Sequence, residues 1–478
     1  MTDPSALQIQ RAVQLAKPPR VRKLVPILRM LLLHIVLVPT SLAYLPYALV
    51  RALVPFLRPA RGWTAKQTLS VLYTRLAMEL FVITKFQPVA PREGGWRETP
   101  GLIGGLLSLL NYTGPGGRVA HPRTALKAAM LPQHDEKKRG DRVWFGAPPL
   151  EYFRGILSIN PTGRDGQGQV TDSDNYRGAP LVRPGEAKIR TRAFWFMPGG
   201  PKEHAPLPHR EKGQDRQVIL FFHGGAGVTF SAGDMFMGLT LARNLAQTSG
   251  FPVFSVDYHL APFGRFPVPL IQCVSAYVHL TRDLGFRGDQ IIVAGDSNGS
   301  HLALQIERFL RLEGAKIPSH QAQRQRGEPD FAAMLLLSPW LVATNDMMPE
   351  RETNLKYDIV PRTYGDWGVK EMQFGPSRRT GMQLDDPWIS PLLRPVEEVA
   401  QMPPTYIANG QLEVLVEEGK RFAAKCKQAG LITRYHVTPL EPHDFFCLAA
   451  SLPNAKKVYK DFATWARHDV LAKAGYKV

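Results

Sequence analysis

Cysteine is scarce in this chain. Cys273, Cys426 and Cys447 are the only three in 478 residues, too few for a disulfide framework. No C-x-x-C pair and no clustered Cys/His ligands occur, so a structural zinc site is not expected, nor any other metal. Acidic residues are short as well, 41 against 59 basic ones, which leaves a formal charge of +18. The shortage is concentrated at the front. Residues 1–150 hold 21 Lys/Arg and 7 Asp/Glu, whereas the remaining 328 hold 38 and 34. No nucleic-acid recognition motif accompanies the basic excess, so nucleic acid is not expected as a partner. There is no internal repeat of the kind that builds solenoids. The excess instead flanks the most apolar stretch of the chain, a pattern that points to membrane lipid.

That stretch, Met30 to Val50, contains no charged residue. As a helix it would span roughly 31 Å, the thickness of a bilayer's hydrocarbon core. Pro39 and Pro46 lie inside it, as membrane helices tolerate. Six basic residues precede it (Arg11, Lys17, Arg20, Arg22, Lys23, Arg29) and Arg51, Arg58, Arg61 and Lys66 follow. This bias places the N-terminus in the cytoplasm and the body across the membrane. Three readings compete: a retained anchor, a signal peptide cleaved near Ser41-Leu42-Ala43, and a soluble cap helix. The length of the run favours the anchor.

Residues 64–85 carry apolar positions at helical spacing, which predicts an amphipathic helix. Residues 88–215 are rich in Gly, Pro and charge, with biased patches at 135–142 and 160–169, and read as exposed loops. From Gln217 onward the pattern changes. Apolar runs at 218–222, 252–258, 290–295, 331–337, 404–410 and 431–437 read as strands. Helices are expected near 235–248, 268–284, 298–312, 414–429 and 454–472. Such alternation builds an α/β fold, a mostly parallel sheet with helices on both faces. Three parts follow: a basic N-terminus with an anchor (1–60), a cap and loop-rich extension (61–215), and a catalytic domain (216–478).

Two motifs carry chemistry. Gly295-Asp296-Ser297-Asn298-Gly299 lies between a buried-looking strand and a helix. A serine at such a turn is held exposed and strained, and the flanking glycines let the backbone pass. Ser297 is therefore the candidate nucleophile. His223-Gly224-Gly225-Ala226-Gly227 follows the 218–222 strand. Acyl transfer needs main-chain N–H groups aimed at an oxyanion, and Gly224, Gly225 and Asn298 are the expected donors.

These motifs, with Asp257-Tyr258-His259-Leu260-Ala261-Pro262 between them, resemble the hormone-sensitive-lipase branch of the α/β-hydrolases over roughly residues 217–470. The branch carries H-G-G-G, D-Y-R-L-A-P and G-D-S-A-G in the same order. The resemblance implies an α/β-hydrolase fold with a helical cap and no cofactor. It also implies an acid within G-x-x-D-x-L, the place of Gly410-Gln411-Leu412-Glu413-Val414-Leu415, so that Glu413 stands for the usual Asp. The branch's H-G-F is matched by His443-Asp444-Phe445, with Asp444 where glycine is usual. His223 is expected to pin the oxyanion loop. Glu417 and Glu418 are expected to face solvent, and residues 56–86 and 341–385 to cap the site. Gly227 replaces an aromatic of the acyl pocket, so acyl preference does not carry over.

The implied reaction is carboxylic-ester hydrolysis by Ser297, His443 and Glu413 on a small apolar ester, with an acetyl or short acyl group. An anchor joined to this branch resembles the arylacetamide deacetylases and the steryl-acetate hydrolases. That likeness implies a catalytic body in the endoplasmic reticulum lumen, as the lone sequon Asn111-Tyr112-Thr113 would fit. A lactonase or amidase uses the same triad, and the gibberellin receptors use the scaffold without catalysis.

Overall fold

In the computed structural model, which describes residues 4–18, 24–86, 142–160, 181–199, 217–325, 327–343, 348–372, 382–473 and 475, all six runs expected after Gln217 are strands. They are β3 (Val218–Phe222), β4 (Val253–Asp257), β5 (Ile291–Asp296), β6 (Ala333–Leu337), β7 (Thr405–Gly410) and β8 (Thr433–Thr438). Their runs are continuous because β3 to β7 are buried at every position, as strands covered on both faces must be. Each fully buried side chain of the size of Phe221 or Leu335 contributes ~1.5–3 kcal/mol.

Two strands precede them where loops were expected. β1 (Arg142–Phe145) and β2 (Thr191–Phe196) close one edge of an eight-stranded sheet of order β1-β2-β4-β3-β5-β6-β7-β8. Both of their pairings, β1 with β2 and β2 with β4, are antiparallel; the remaining pairs are parallel. One charge in this region is internal. Arg192 lies opposite Asp257 in register and donates from Nε to Oδ2 at 2.9 Å, with both side chains buried. The sequon at Asn111 and nearly all of 135–142 and 160–169 lie outside the described residues.

The helices that frame the sheet and the cleft are α1 (Pro4–Leu15), α2 (Leu24–Leu53), α3 (Ala65–Thr84), α4 (Arg243–Ser249), α5 (Val268–Val278), α6 (Asn298–Glu313), α7 (Arg362–Met372), α8 (Val416–Gln428) and α9 (Leu452–Trp465), with a further helix over Pro318–Gln325 and other short helical segments between. Helix α2 is longer than the uncharged run and continues through Pro39 and Pro46. From Leu31 to Leu53 it is long and apolar enough to cross a membrane, with little of that surface buried. Leu28, Ile35, Val38 and Leu42 all point outward. Helix α3 starts at Thr64, whose hydroxyl accepts from the Gln67 N–H at 3.1 Å, and ends on Lys85 in the left-handed conformation. Its other side faces the catalytic half. Trp63 Nε1 donates to the Leu440 carbonyl at 2.6 Å, and Arg75 reaches the carbonyls of Leu355 and Asp358.

Candidate active site

Every motif residue sits at a carboxyl end of a parallel strand, where loops of open α/β sheets gather. Ser297 links β5 to α6 with φ 50° and ψ −117°, a left-handed turn rarely taken by a residue with a Cβ. The two flanking glycines have a steric cause. A Cβ on Gly295 would come within 2.2 Å of the Gly299 carbonyl carbon, and one on Gly299 within 1.9 Å of the Phe222 carbonyl oxygen. Only glycine lets α6 start this close to β3.

His443 lies after β8 and places Nε2 3.0 Å from Ser297 Oγ. Burial lowers the affinity of this imidazole for a proton. The Asp444 carboxylate, followed by Glu413 and Asp358, more than reverses that and pushes it up to about 10. Glu413 is fully buried after β7, and burial raises its carboxyl above the usual range against the pull of His443. It accepts hydrogen bonds from Ser338 Oγ at 2.6 Å, from the Gly410 N–H at 2.9 Å and from Asn409 Nδ2. Among the described residues Nδ1 of His443 has no hydrogen-bond partner. Glu413 therefore acts on the ring through its charge rather than through a hydrogen bond.

Two residues without a motif hold these loops together. Asp358, before α7, accepts the His443 N–H at 3.0 Å and the Val414 N–H at 2.5 Å. It thus ties the histidine loop to the acid loop. Ser338 joins them a second way, donating to Glu413 and accepting the Asp444 N–H at 3.2 Å. The only sequence signal for Ser338 is its place at the end of β6, in line with the other site residues. Asp358 has none.

In the glycine loop, His223 is buried and stacks on Tyr258 with ring centroids 4.5 Å apart. Tyr258 donates to the His223 carbonyl at 2.6 Å, and Asn298 Nδ2 donates to Tyr258 at 3.3 Å. His223 thus packs within the glycine loop, with Nδ1 at 2.8 Å from the Gly224 carbonyl. The Gly224 N–H donates to Asp296 Oδ1 at 3.0 Å, so this expected oxyanion donor is already engaged. The amides of Gly225, Ala226 and Asn298 have no acceptor among the described residues. Gly225 and Ala226 also line the cleft with Ser297 and His443.

The cleft opens to solvent beside Ser297 and His443. Its apolar wall includes Met78 of α3, Phe230, Met237, Leu355, Ile359 and Val360, so both segments expected to form a cap contribute. Glu418 departs from expectation. It is fully buried, accepts the N–H groups of Leu341 and Val342 at 2.7 and 2.9 Å, and pairs with Arg351. An anion seated on two amides and a guanidinium gains enough to leave water. Glu417 stays at the surface beside Lys420. Among the described residues no group of His, Cys, Asp and Glu has the arrangement of a metal site.

Residues 219–447 match the family described as alpha/beta hydrolase fold. The chain is 28% identical over 252 residues to an esterase of Acinetobacter venetianus, covering 52% of this chain and 74% of that one. It is 29% identical over 254 residues to Esterase LipU of Mycobacterium tuberculosis, covering 53% and 78%. A shorter match, 34% over 125 residues, is to hormone-sensitive lipase of Mus musculus, covering 25% and 16%.

Proposed function

We propose, from the match of residues 219–447 to the family described as alpha/beta hydrolase fold, that this chain is a serine carboxylic-ester hydrolase of the esterase and lipase type. The observation that carries the reading is the strained Ser297 with its hydroxyl 3.0 Å from His443 Nε2. Ser297 Oγ attacks the acyl carbon as its proton passes to Nε2. The resulting imidazolium is stabilised by the charge of Glu413. The oxyanion is taken by the amides of Gly225, Ala226 and Asn298, with Ala226 in the place first assigned to Gly224. The alcohol leaves with the proton from Nε2, and water cleaves the acyl-enzyme by the same path.

The apolar cleft supports a small apolar ester with a short acyl group, and steryl acetate is one candidate. The outward leucines of α2 and the basic residues around it support a retained membrane anchor, with the catalytic body in the endoplasmic reticulum lumen. Covalent labelling by a fluorophosphonate probe, followed by hydrolysis across an acyl-length series that includes sterol acetate, tests the reaction. Ser297→Ala should lose labelling and about 10³-fold or more in kcat. Retained turnover in that variant would refute the assignment. Sodium carbonate extraction tests the anchor, and a mobility shift on endoglycosidase treatment tests the lumenal placement.

A further inference from the structure

The loop that carries His443 holds a second acid against the imidazole. Asp444 takes the left-handed conformation, φ 45° and ψ 37°, which glycine adopts without cost and a residue with a Cβ does not. Its carboxylate is buried and lines the cleft. Oδ2 lies 3.1 Å from His443 Nε2, the nitrogen that also meets Ser297 at 3.0 Å. Among the described residues no other carboxylate lies within 4.0 Å of an imidazole nitrogen of His443.

Behind Asp444 stands Asp296. Among the described residues, Oδ1 of Asp444 and Oδ2 of Asp296 have no hydrogen-bond partner. Burial and the neighbouring Asp444 charge raise the Asp296 carboxyl well above its usual range. A line of polar groups results. It runs from the Gly224 N–H through Asp296 and Asp444 to Nε2.

We propose that Asp444, backed by Asp296, is a positioning residue that holds the Nε2 edge of His443 in the free enzyme and so sets the pH at which the ring becomes available as a base. The inference rests on His443 serving as the general base of ester hydrolysis. A carboxylate at 3.1 Å favours the imidazolium, which donates its Nε2 proton to Oδ2 and has no lone pair for the serine hydroxyl. As pH rises that proton leaves to solvent, the remaining one stays on Nδ1, and Nε2 turns to Ser297. Activity therefore climbs through a limb displaced to the alkaline side of an ordinary histidine.

Other charged and titratable groups face the same centre. Glu413 approaches from the loop after β7, Asp358 from the segment before α7, and Asp296 from the end of β5. Tyr364 of α7 and Cys447 face the acid pair. Arg351 is committed to Glu418. Asp444 is the member in contact with the nitrogen that must accept the serine proton.

The test is the pH dependence of fluorophosphonate labelling and of kcat/KM on a short-chain p-nitrophenyl ester, for the wild type and for Asp444→Asn, Asp444→Gly and Asp444→Glu. In the Asn and Gly variants the acid limb should move down by about one pH unit or more, while Glu keeps the wild-type limb. Glycine suits the backbone at this position, so its variant reports even where Asn perturbs folding. A limb that stays in place in a cooperatively melting Gly or Asn variant overturns the proposal, even where kcat falls. A wild type that does not label overturns the hydrolase reading and this inference with it.

Discussion

Gly299→Ala is the sharpest test of how the nucleophile is placed. The added methyl would sit 1.9 Å from the Phe222 carbonyl oxygen and 2.6 Å from its carbon. Ordinary contact begins at 3.4 Å, so α6 and the end of β3 must part by about 1.5 Å. Neither partner is a flexible side-chain tip. Both are main chain, one at the start of a buried helix and the other in a fully buried strand. Overpacking of this kind costs about 1–3 kcal/mol. The displacement falls between Ser297 and the loop carrying Gly225 and Ala226, where a 1 Å error costs about 10²-fold in rate. The variant should melt several degrees lower and lose at least about 10²-fold in kcat, read by calorimetry and ester hydrolysis. Gly146→Ala is the control, because a Cβ there meets nothing within 4 Å. Wild-type melting and turnover in Gly299→Ala would refute the account of the turn.

Glu413→Gln keeps the shape and removes the charge, and should lower kcat by about 10²-fold or more with an unchanged melt; equal turnover would remove Glu413 as the acid. Arg351→Leu leaves Glu418 buried without a counter-ion and should cost about 3–5 kcal/mol in urea unfolding, with recovery in the Arg351→Leu/Glu418→Leu double variant. Asp257 is buried, which would raise its carboxyl, yet the Arg192 guanidinium holds it down at about 2. Its contribution, about 2 kcal/mol, is therefore complete above about pH 4 and lost as pH falls toward 2. Urea midpoints at pH 5 and pH 3 should diverge in the wild type more than in Asp257→Asn, and equal divergence would refute the pairing.

The parallel core was legible because burial on both faces writes itself as uninterrupted apolar runs, as in VILFF at 218–222. β1 and β2 were not. Arg192 interrupts the second of them, and a buried arginine reads as exposed until its partner Asp257 is known to lie across the strand. The same limit divides the site. Ser297, Glu413 and His443 follow strands whose ends can be located from pattern. Asp358, Ser338 and the buried face of Glu418 gain their roles from loops 56 to 106 positions away, and no local spacing encodes them. Gly224 shows the finer failure, since glycine content marks a loop that nears an oxyanion without telling which amide is spoken for.

The fastening of α3 to the histidine loop makes the front of the chain part of the machine. Trp63 and Gln67 grip the carbonyl of Leu440, three positions before His443, while the opposite side of the same hairpin carries the outward leucines of α2. Trimming the protein after Thr84 to gain solubility would strip the brace from the His443 loop along with the greasy surface. A workable soluble form has to be sought by recolouring the exposed face of α2 with polar residues and leaving both helices in place.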